Sequence, residues 1–204
     1  MGTLIVSLFT FSATLLEPGL IPIGGHDGVE VYQRKDAAII ELAAVGEFDA
    51  PPAEVQAALL DYASHPRVNK HLAESTVLAH EPGGLFVYQH LKLPVIKDRD
   101  FTLRVSFNER SLRGISFHID GSHGPAATKQ RVRMTLLNGR WDLEPIRGGT
   151  ATRAVYHLQI DFAGSVPRGM VRGGAAKDLP GVYLGMRKLI DERRNASVAS
   201  LSRR

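Results

Sequence analysis

Residues 97–109 read Lys-Asp-Arg-Asp-Phe-Thr-Leu-Arg-Val-Ser-Phe-Asn-Glu, and this stretch decides the fold class. After a charged corner at 98–100, apolar side chains occupy every second position, at Phe101, Leu103, Val105 and Phe107. A period of two is typical of a strand with one apolar face and one solvated face. The stretch therefore predicts a half-buried strand, and the function depends on what its apolar face covers.

The segments on either side have strand patterns as well. Strands are predicted at residues 29–34, 38–48, 75–80, 85–93, 114–120, 129–137, 140–145 and 151–162, with a hairpin turn at Asn138-Gly139. A short helix is predicted over 53–62, where apolar residues follow helical spacing.

One long amphipathic helix is predicted from Val166 to about Arg194. Gly173-Gly174 weakens this helix, and a kink or break is expected at Pro180 because proline has no N–H to donate. A run of strands followed by one long helix indicates an α+β fold. We expect a curved antiparallel sheet wrapped around the C-terminal helix, with short helices after the second strand.

The composition predicts one globular domain: the chain has 204 residues, of which 44% are hydrophobic and 23% charged. The absence of cysteine excludes disulfides, thiolate metal sites and a cysteine nucleophile. The histidines lack metal-ligand spacing, and there is neither a Gly-x-Ser-x-Gly elbow nor a glycine-rich phosphate loop. We therefore expect no metal and no nucleotide cofactor.

The N-terminal stretch from Thr3 to Leu16 is uncharged and apolar. As a helix it would rise about 21 Å, less than the roughly 30 Å of a bilayer core, so a transmembrane helix is not predicted. Two interpretations stay open: a remnant of an export signal, or a helix that docks on the domain. The location is accordingly cytoplasmic or periplasmic. The expected organisation is an apolar segment at 1–25, a folded domain at 26–194 and a basic tail at 195–204.

The formal net charge is +4, and basic residues are concentrated after Arg187. One interpretation is a solvated helix end, and the other is transient contact with anionic lipid head groups at a membrane surface. Nucleic acid is not an expected partner, because no aromatic residues alternate with the basic ones. The sequence carries no signal for an oligomer.

Five short motifs, in order, resemble those of one family. They are Asp27-Gly28-Val29-Glu30-Val31-Tyr32, Asp49-Ala50-Pro51-Pro52-Ala53-Glu54-Val55, Leu93-Pro94 with Asp98-Arg99-Asp100-Phe101, Gly139-Arg140-Trp141-Asp142-Leu143-Glu144-Pro145, and Ile160-Asp161-Phe162-Ala163-Gly164-Ser165-Val166-Pro167. Over about residues 26–190 the chain resembles the START (steroidogenic-acute-regulatory-related lipid-transfer) family. That family belongs to the helix-grip group, which includes polyketide cyclases, and its small standalone members favour a bacterial-type protein here.

The resemblance implies an apolar tunnel between the sheet and the last helix, holding one lipid or sterol-like molecule without a cofactor or catalysis. The residues expected to line it are His90, Phe101, Leu103, Val105, Phe107, Trp141, Tyr156, Leu158, Ile160, Met170, Val171, Val182 and Met186. Members of the family often place an Arg and an acid where this chain has Val105 and His90. This difference implies a drier tunnel in which His90 supplies a hydrogen bond, unless it is a buried, structural imidazole.

Two other functions stay open. An aromatase/cyclase-like enzyme would use the same cavity, with His90, Arg133, Tyr88 or Tyr156 to orient ketones and move protons. The alternating apolar residues of 101–107 argue against the wetter lining that a poly-ketone needs. The other alternative is an interaction protein whose core is filled. Arg99 and Asp100 are interpreted as a structural corner and not as a catalytic pair.

Overall fold

A computed structural model describes residues 16–35, 37–94, 96–108, 114–164, 166 and 168–201. At positions 168, 170–172, 175, 176 and 198–201 it describes the helical backbone only. The apolar N-terminal segment up to residue 15 lies outside the described residues. In the part of the chain that the structure describes, no helix combines the length and hydropathy that a membrane crossing needs.

The chain alternates strands with short helices and ends in one long helix. The strands are β1 (Leu20–His26), β2 (Val29–Arg34), β3 (Ile40–Phe48), β4 (Leu72–Glu81), β5 (Gly84–Leu91), β6 (Arg99–Phe107), β7 (Gly114–Ile119), β8 (Val132–Arg133), β9 (Leu136–Ile146) and β10 (Ala151–Asp161). The helices are α1 (Pro52–Leu60), two 3₁₀ helices (Tyr62–Arg67 and Arg147–Gly149) and α2 (Arg168–Leu201).

The strands form a single curved sheet in the order β1-β2-β3-β10-β9-β7-β6-β5-β4. Neighbours in this order are antiparallel, and the short β8 pairs with β6 in parallel. Helix α2 packs against β1, β2, β3 and α1. The predicted α+β helix-grip architecture is therefore confirmed.

Tyr183 anchors α2 to the middle of the sheet. Its hydroxyl donates to the carbonyl oxygens of Ala44 in β3, at 2.8 Å, and Ala154 in β10, at 2.9 Å. Its ring stacks on Phe48 with the ring centroids 5.3 Å apart. The ring fits because residue 46 is glycine: a Cβ on Gly46 would lie 2.8 Å from the ring carbons. The helix and sheet are therefore in closest contact at this point.

Basic side chains hold the C-terminal half of α2 in place. The Arg187 guanidinium donates to the carbonyl oxygens of Glu47, at 3.0 and 3.1 Å, and Asp27, at 2.8 Å. Arg193 pairs with Asp61 at 2.8 Å, and Arg194 pairs with Glu54 at 2.6 Å. These arginines are engaged within the fold, so the part of the basic end that they form has a structural role.

The first strand and the last helix extend beyond residues 26–194. Strand β1 begins at Leu20 and pairs with β2, so the sheet includes residues before the predicted boundary at 26. Helix α2 continues to Leu201, through residues predicted as a tail. It also runs through Pro180 without the predicted break. A proline removes one helical hydrogen bond, and the buried neighbours Leu179 and Tyr183 hold this segment helical.

Asn138 and Gly139 are not a turn, as the sequence predicted, but lie inside β9. A Cβ on Gly139 would lie 2.4 Å from the ring of Phe117 and 2.6 Å from the carbonyl oxygen of His157. Glycine is required there because neighbouring strands approach closely, which the local sequence does not reveal.

The Tyr183 anchor predicts a measurable effect of removing one oxygen. Tyr183→Phe deletes both hydrogen bonds and keeps the ring, so the free energy of unfolding should fall by about 1–2 kcal/mol in urea titrations. Tyr32→Phe is the matched control, because the Tyr32 hydroxyl bonds only to the exposed Glu30. Equal stability of the two variants would contradict the anchor.

Candidate functional site

A cavity of about 690 Å³ lies between the inner face of the sheet and α2. Its walls come mainly from β5, β6, β9, β10 and α2, from the 3₁₀ helix after α1 and the loop that follows it, and from the loop after β5. Single residues of β1, α1, β4 and β7 complete the lining. This volume is within the range of about 300–1,000 Å³ found for small-molecule sites. The interior is therefore not filled by the protein's own side chains, which removes the filled-core alternative.

Most of the predicted lining residues meet at this cavity. Those that line it are Phe101, Leu103, Trp141, Tyr156, Leu158, Ile160, Val182 and Met186. Residues that also line it but were not predicted include Leu59, Tyr62, Leu72, Gln89, Leu91, Leu93, Pro94, Ile96, Phe117, Leu137 and Phe162. The alternation of β5 and β9 would have indicated Gln89, Leu91 and Leu137. The loop residues carried no periodic signal.

Aromatic stacking makes one wall rigid. Trp141 in β9 lies opposite Tyr156 in β10, and their rings stack with centroids 4.1 Å apart and planes 8° apart. Phe117 in β7 contacts Tyr156 at 6.1 Å between centroids. Cross-strand aromatic pairs of this kind stabilise a sheet, and here they also form a smooth apolar surface.

Several predicted residues lie elsewhere. His90 is on the opposite face of β5 from Gln89 and Leu91, because successive strand residues alternate, and its Nε2 lies 2.7 Å from an Asp98 oxygen. His90 therefore does not line the cavity, and its contact with Asp98 agrees with the alternative interpretation of a structural imidazole.

Val105 and Phe107 share the face of Phe101 but lie farther along β6, beyond the cavity. There they pair across the strands with Phe117 and Ile115, and Val105 is fully buried in the solid core. Met170 and Val171 belong to α2, and their side chains lie outside the described residues.

A network of polar side chains occupies the outer face of β5 and β6. Asp100 accepts two hydrogen bonds from Arg133, at 2.8 and 3.0 Å, and one from the Tyr88 hydroxyl at 3.1 Å. Arg131 donates to the same hydroxyl. Burial alone would raise the pKa of Asp100, but the hydrogen bonds from Arg133 and Tyr88 outweigh it and hold that pKa below its usual range. The network ties the segment around β8 to the sheet.

The Arg99 side chain lies on the opposite face of the sheet from that of Asp100. It is buried, and it donates to the backbone carbonyl oxygens of Phe162 and Ala163, each at 3.2 Å, and of Lys97. Burial lowers the pKa of its guanidinium. Arg99 thereby joins the start of β6 to the connection between β10 and α2. Arg99 and Asp100 form a structural corner, as expected. Arg99 makes its hydrogen bonds on one face of the sheet, and Asp100 makes its hydrogen bonds on the other.

Charged side chains gather where α2 faces the loop after the 3₁₀ helix. Asp178 of α2 lies 3.0 Å from Lys70 Nζ and 3.0 Å from His71 Nε2. All three residues line the cavity, and the Lys70 side chain is 71% exposed, so this edge is the rim of the cavity. Nearby, a Cβ on Gly185 would lie 2.5 Å from the carbonyl oxygen of Val68, which marks where helix and loop touch.

A curved sheet that encloses an apolar cavity under one long helix defines a class of ligand-binding α+β proteins. A sequence model of the family described as polyketide cyclase/dehydrase and lipid transport matches residues 48–186, a range that contains nearly all of the cavity walls. The chain belongs to this family. No curated protein sequence matches the chain significantly.

Solved structures place the fold among START domains. Human STARD10 superposes with a TM-score of 0.78 at 18% identity, covering 93% of this chain and 80% of that one. A STAR-related lipid transfer protein from Xanthomonas axonopodis gives 0.73 at 18% identity, covering 85% and 99%. The Zhui aromatase/cyclase from Streptomyces sp. R1128 gives 0.57 at 11% identity, covering 78% and 96%. The family resemblance read from the sequence is confirmed.

The Asp100 network predicts a pH-dependent contribution to stability. Because the folded-state pKa of Asp100 is depressed, its carboxylate stabilises the fold above the ordinary Asp pKa of about 3.9, and this contribution is lost as the pH falls through the folded-state value. Asp100→Asn should lower the free energy of unfolding by about 1–3 kcal/mol at pH 7, and the difference from the parent should shrink at pH 3. Urea titrations at both pH values, with the exposed Asp191→Asn as control, measure it. A difference independent of pH would contradict the ion pair.

Proposed function

We propose that this protein binds one apolar, lipid-like molecule in the cavity under α2 and acts in the transport or sensing of that molecule. The observation that carries the proposal is an open volume of about 690 Å³ walled mainly by apolar and aromatic side chains. Moving about 300 Å² of apolar ligand surface out of water yields about 7 kcal/mol before the costs of association. Such a cavity therefore retains an apolar molecule without requiring hydrogen bonds or ion pairs to it.

The alternative is an aromatase/cyclase that uses the same space. It needs polar groups able to orient ketones and transfer protons inside the cavity. Of the four candidates, Tyr88, His90 and Arg133 do not line the cavity, which leaves Tyr156. The likeness to the Zhui aromatase/cyclase concerns the fold. Tyr62, His65 and Gln89 also line the cavity, so the preference for a binding protein over an enzyme rests on the mainly apolar character of the lining.

Exchange of the ligand requires a path through the walls, and the rim between α2 and residues 68–72 supports one. Gly174 and Gly181 lie along this edge of the helix, and a Cβ on either would meet nothing within 4 Å. The C-terminal half of α2 is held by Tyr183 and Arg187, whereas at this edge Asp178 contacts the exposed Lys70 and the partly buried His71 of the loop. The pair with Lys70 is largely exposed, and such pairs contribute only about 0–1 kcal/mol, so this contact adds little to the cost of opening the edge.

Cavity filling tests the binding site directly. Val182→Phe enlarges a side chain that lines the cavity, and we expect less lipid to co-purify with the full chain in native mass spectrometry. The reason is steric, since the added ring occupies ligand volume. Leu184→Phe makes the same kind of change at an exposed position of the same helix and should leave loading unchanged.

Thermal unfolding of both variants checks that each is folded. Equal loading of folded Val182→Phe and parent protein would remove this cavity from the binding site. A parent protein that carries no lipid, and takes up none from vesicles, would contradict the proposed function.

The charged residues at the rim are predicted to affect the rate of ligand exchange. Asp178→Asn removes the ion pair to the exposed Lys70 and the carboxylate contact with His71, and ligand release should become about two- to five-fold faster. Stopped-flow transfer of a fluorescent fatty acid or sterol to acceptor vesicles measures the rate. Asp191→Asn, an exposed change farther along α2, is the matched control. If both variants release ligand at the parent rate, exchange does not pass this rim.

A further inference from the structure

Two tyrosine hydroxyls belong to the walls of this largely apolar cavity. Tyr62 begins the 3₁₀ helix after α1, Tyr156 lies in β10, and both line the cavity. Neither hydroxyl has a hydrogen-bond partner among the described residues. Tyr62 and Tyr156 therefore differ from the other tyrosines of the fold.

The hydroxyls of the other two buried tyrosines, Tyr183 and Tyr88, form hydrogen bonds within the protein. The Tyr183 hydroxyl donates to two backbone carbonyl oxygens, and the Tyr88 hydroxyl donates to Asp100. A buried hydroxyl without a partner costs about 1–3 kcal/mol, and native structures satisfy nearly all such groups. The hydroxyls of Tyr62 and Tyr156 are not among the buried polar atoms that lack a partner, so their partner is whatever occupies the cavity, water in the free protein and a ligand in the complex.

Both rings are held by aromatic contacts. Tyr156 stacks on Trp141 at 4.1 Å between centroids, and Tyr62 contacts the His65 ring at 4.7 Å. Fixed rings present their hydroxyls in fixed directions, which lowers the entropy lost when a ligand binds.

The surroundings select against a charged ligand group at this depth. Burial raises the pKa of both tyrosines, so their hydroxyls stay protonated and can donate. Burial lowers the pKa of the nearby His65, which keeps its ring neutral. Among the described lining residues the lysines are Lys70 and Lys177, and both are exposed at the rim. An anion beside the tyrosines would lose its hydration without gaining a cation.

We propose that Tyr62 and Tyr156 form a polar subsite for an uncharged oxygen, a hydroxyl or a carbonyl, carried on the buried end of the ligand. The ligand class is then a neutral lipid alcohol or ketone, and fatty-acid anions bind less well. This inference rests on the proposed function, because it requires a ligand in the cavity.

Matched probes test the subsite. The full chain is titrated with 1-dodecanol, dodecane and dodecanoate, each delivered from cyclodextrin, and binding is followed by the fluorescence of Trp141, the single tryptophan of the chain and a lining residue. The parent should bind 1-dodecanol more tightly than dodecane or dodecanoate. In the double variant Tyr62→Phe/Tyr156→Phe the preference for 1-dodecanol over dodecane should fall about tenfold, the loss expected for one or two neutral hydrogen bonds.

Controls separate the subsite from the cavity. Tyr32→Phe should keep the parental preference, and each single cavity variant should lose part of it, which covers the case in which the double variant folds poorly. An unchanged preference in the folded double variant, or tighter binding of dodecanoate than of 1-dodecanol to the parent, overturns the subsite and leaves the cavity as a binding site. If the parent binds none of the probes, the proposed function fails together with the subsite.

Discussion

The attachment of α2 to the sheet through Tyr183 is the constraint on which the cavity depends. The hydroxyl reaches the backbones of two neighbouring strands, and Gly46 lets the ring lie directly on the sheet. Because a helix is stiff over several turns, fixing α2 at Tyr183 sets the distance between its other turns and the sheet. Toward the C-terminus, Arg187 and the buried Leu189 and Ile190 continue the close contact. Toward the N-terminus the same helix lies over a curved sheet and covers a hollow.

The polar network and the apolar cavity wall lie on opposite faces of β5 and β6. Asp100, Tyr88, Arg133 and His90 lie away from the cavity, where they bond to one another or to neighbouring charges. Apolar and aromatic side chains from the same strands face the cavity. Because a strand alternates its side chains, one short stretch supplies both the structural polar network and the greasy wall. The polar residues of this network, Tyr88, His90, Asp100 and Arg133, are therefore part of the fold without lining the cavity.

The same alternation of side chains explains which features of the fold and the cavity could be predicted from the sequence. Alternation over 101–107 and along β10 correctly identified a face, because the period of two is a local property. It did not show where along that face the cavity ends, so Val105 was expected at the cavity and lies in solid core. That limit depends on contacts between β6 and β7, which are distant in sequence.

His90 was misplaced for a different reason. The expectation came from aligning it with a family position, whereas the alternation of Gln89 and Leu91 indicates the outer face. Gly139 was interpreted as a turn because Asn-Gly is a strong hairpin signal. The close approach of Phe117, which requires glycine in the middle of β9, is invisible in the local sequence. The Gly139 error arises where long-range packing outweighs a local pattern, whereas at His90 the local pattern was correct and the family alignment was not.

The size of side chains along α2 explains why the hollow persists. Where the helix crosses the cavity, its lining includes Gly174, Gly181 and Val182, which are small, beside the larger Leu179 and Met186. Tyr183, directly after Val182, is large and fully buried and contacts the sheet. A helix with large residues throughout would either close the cavity or be lifted off its anchor, because protein interiors tolerate neither overlap nor voids without cost. The empty volume thus depends in part on the small residues at positions 174, 181 and 182.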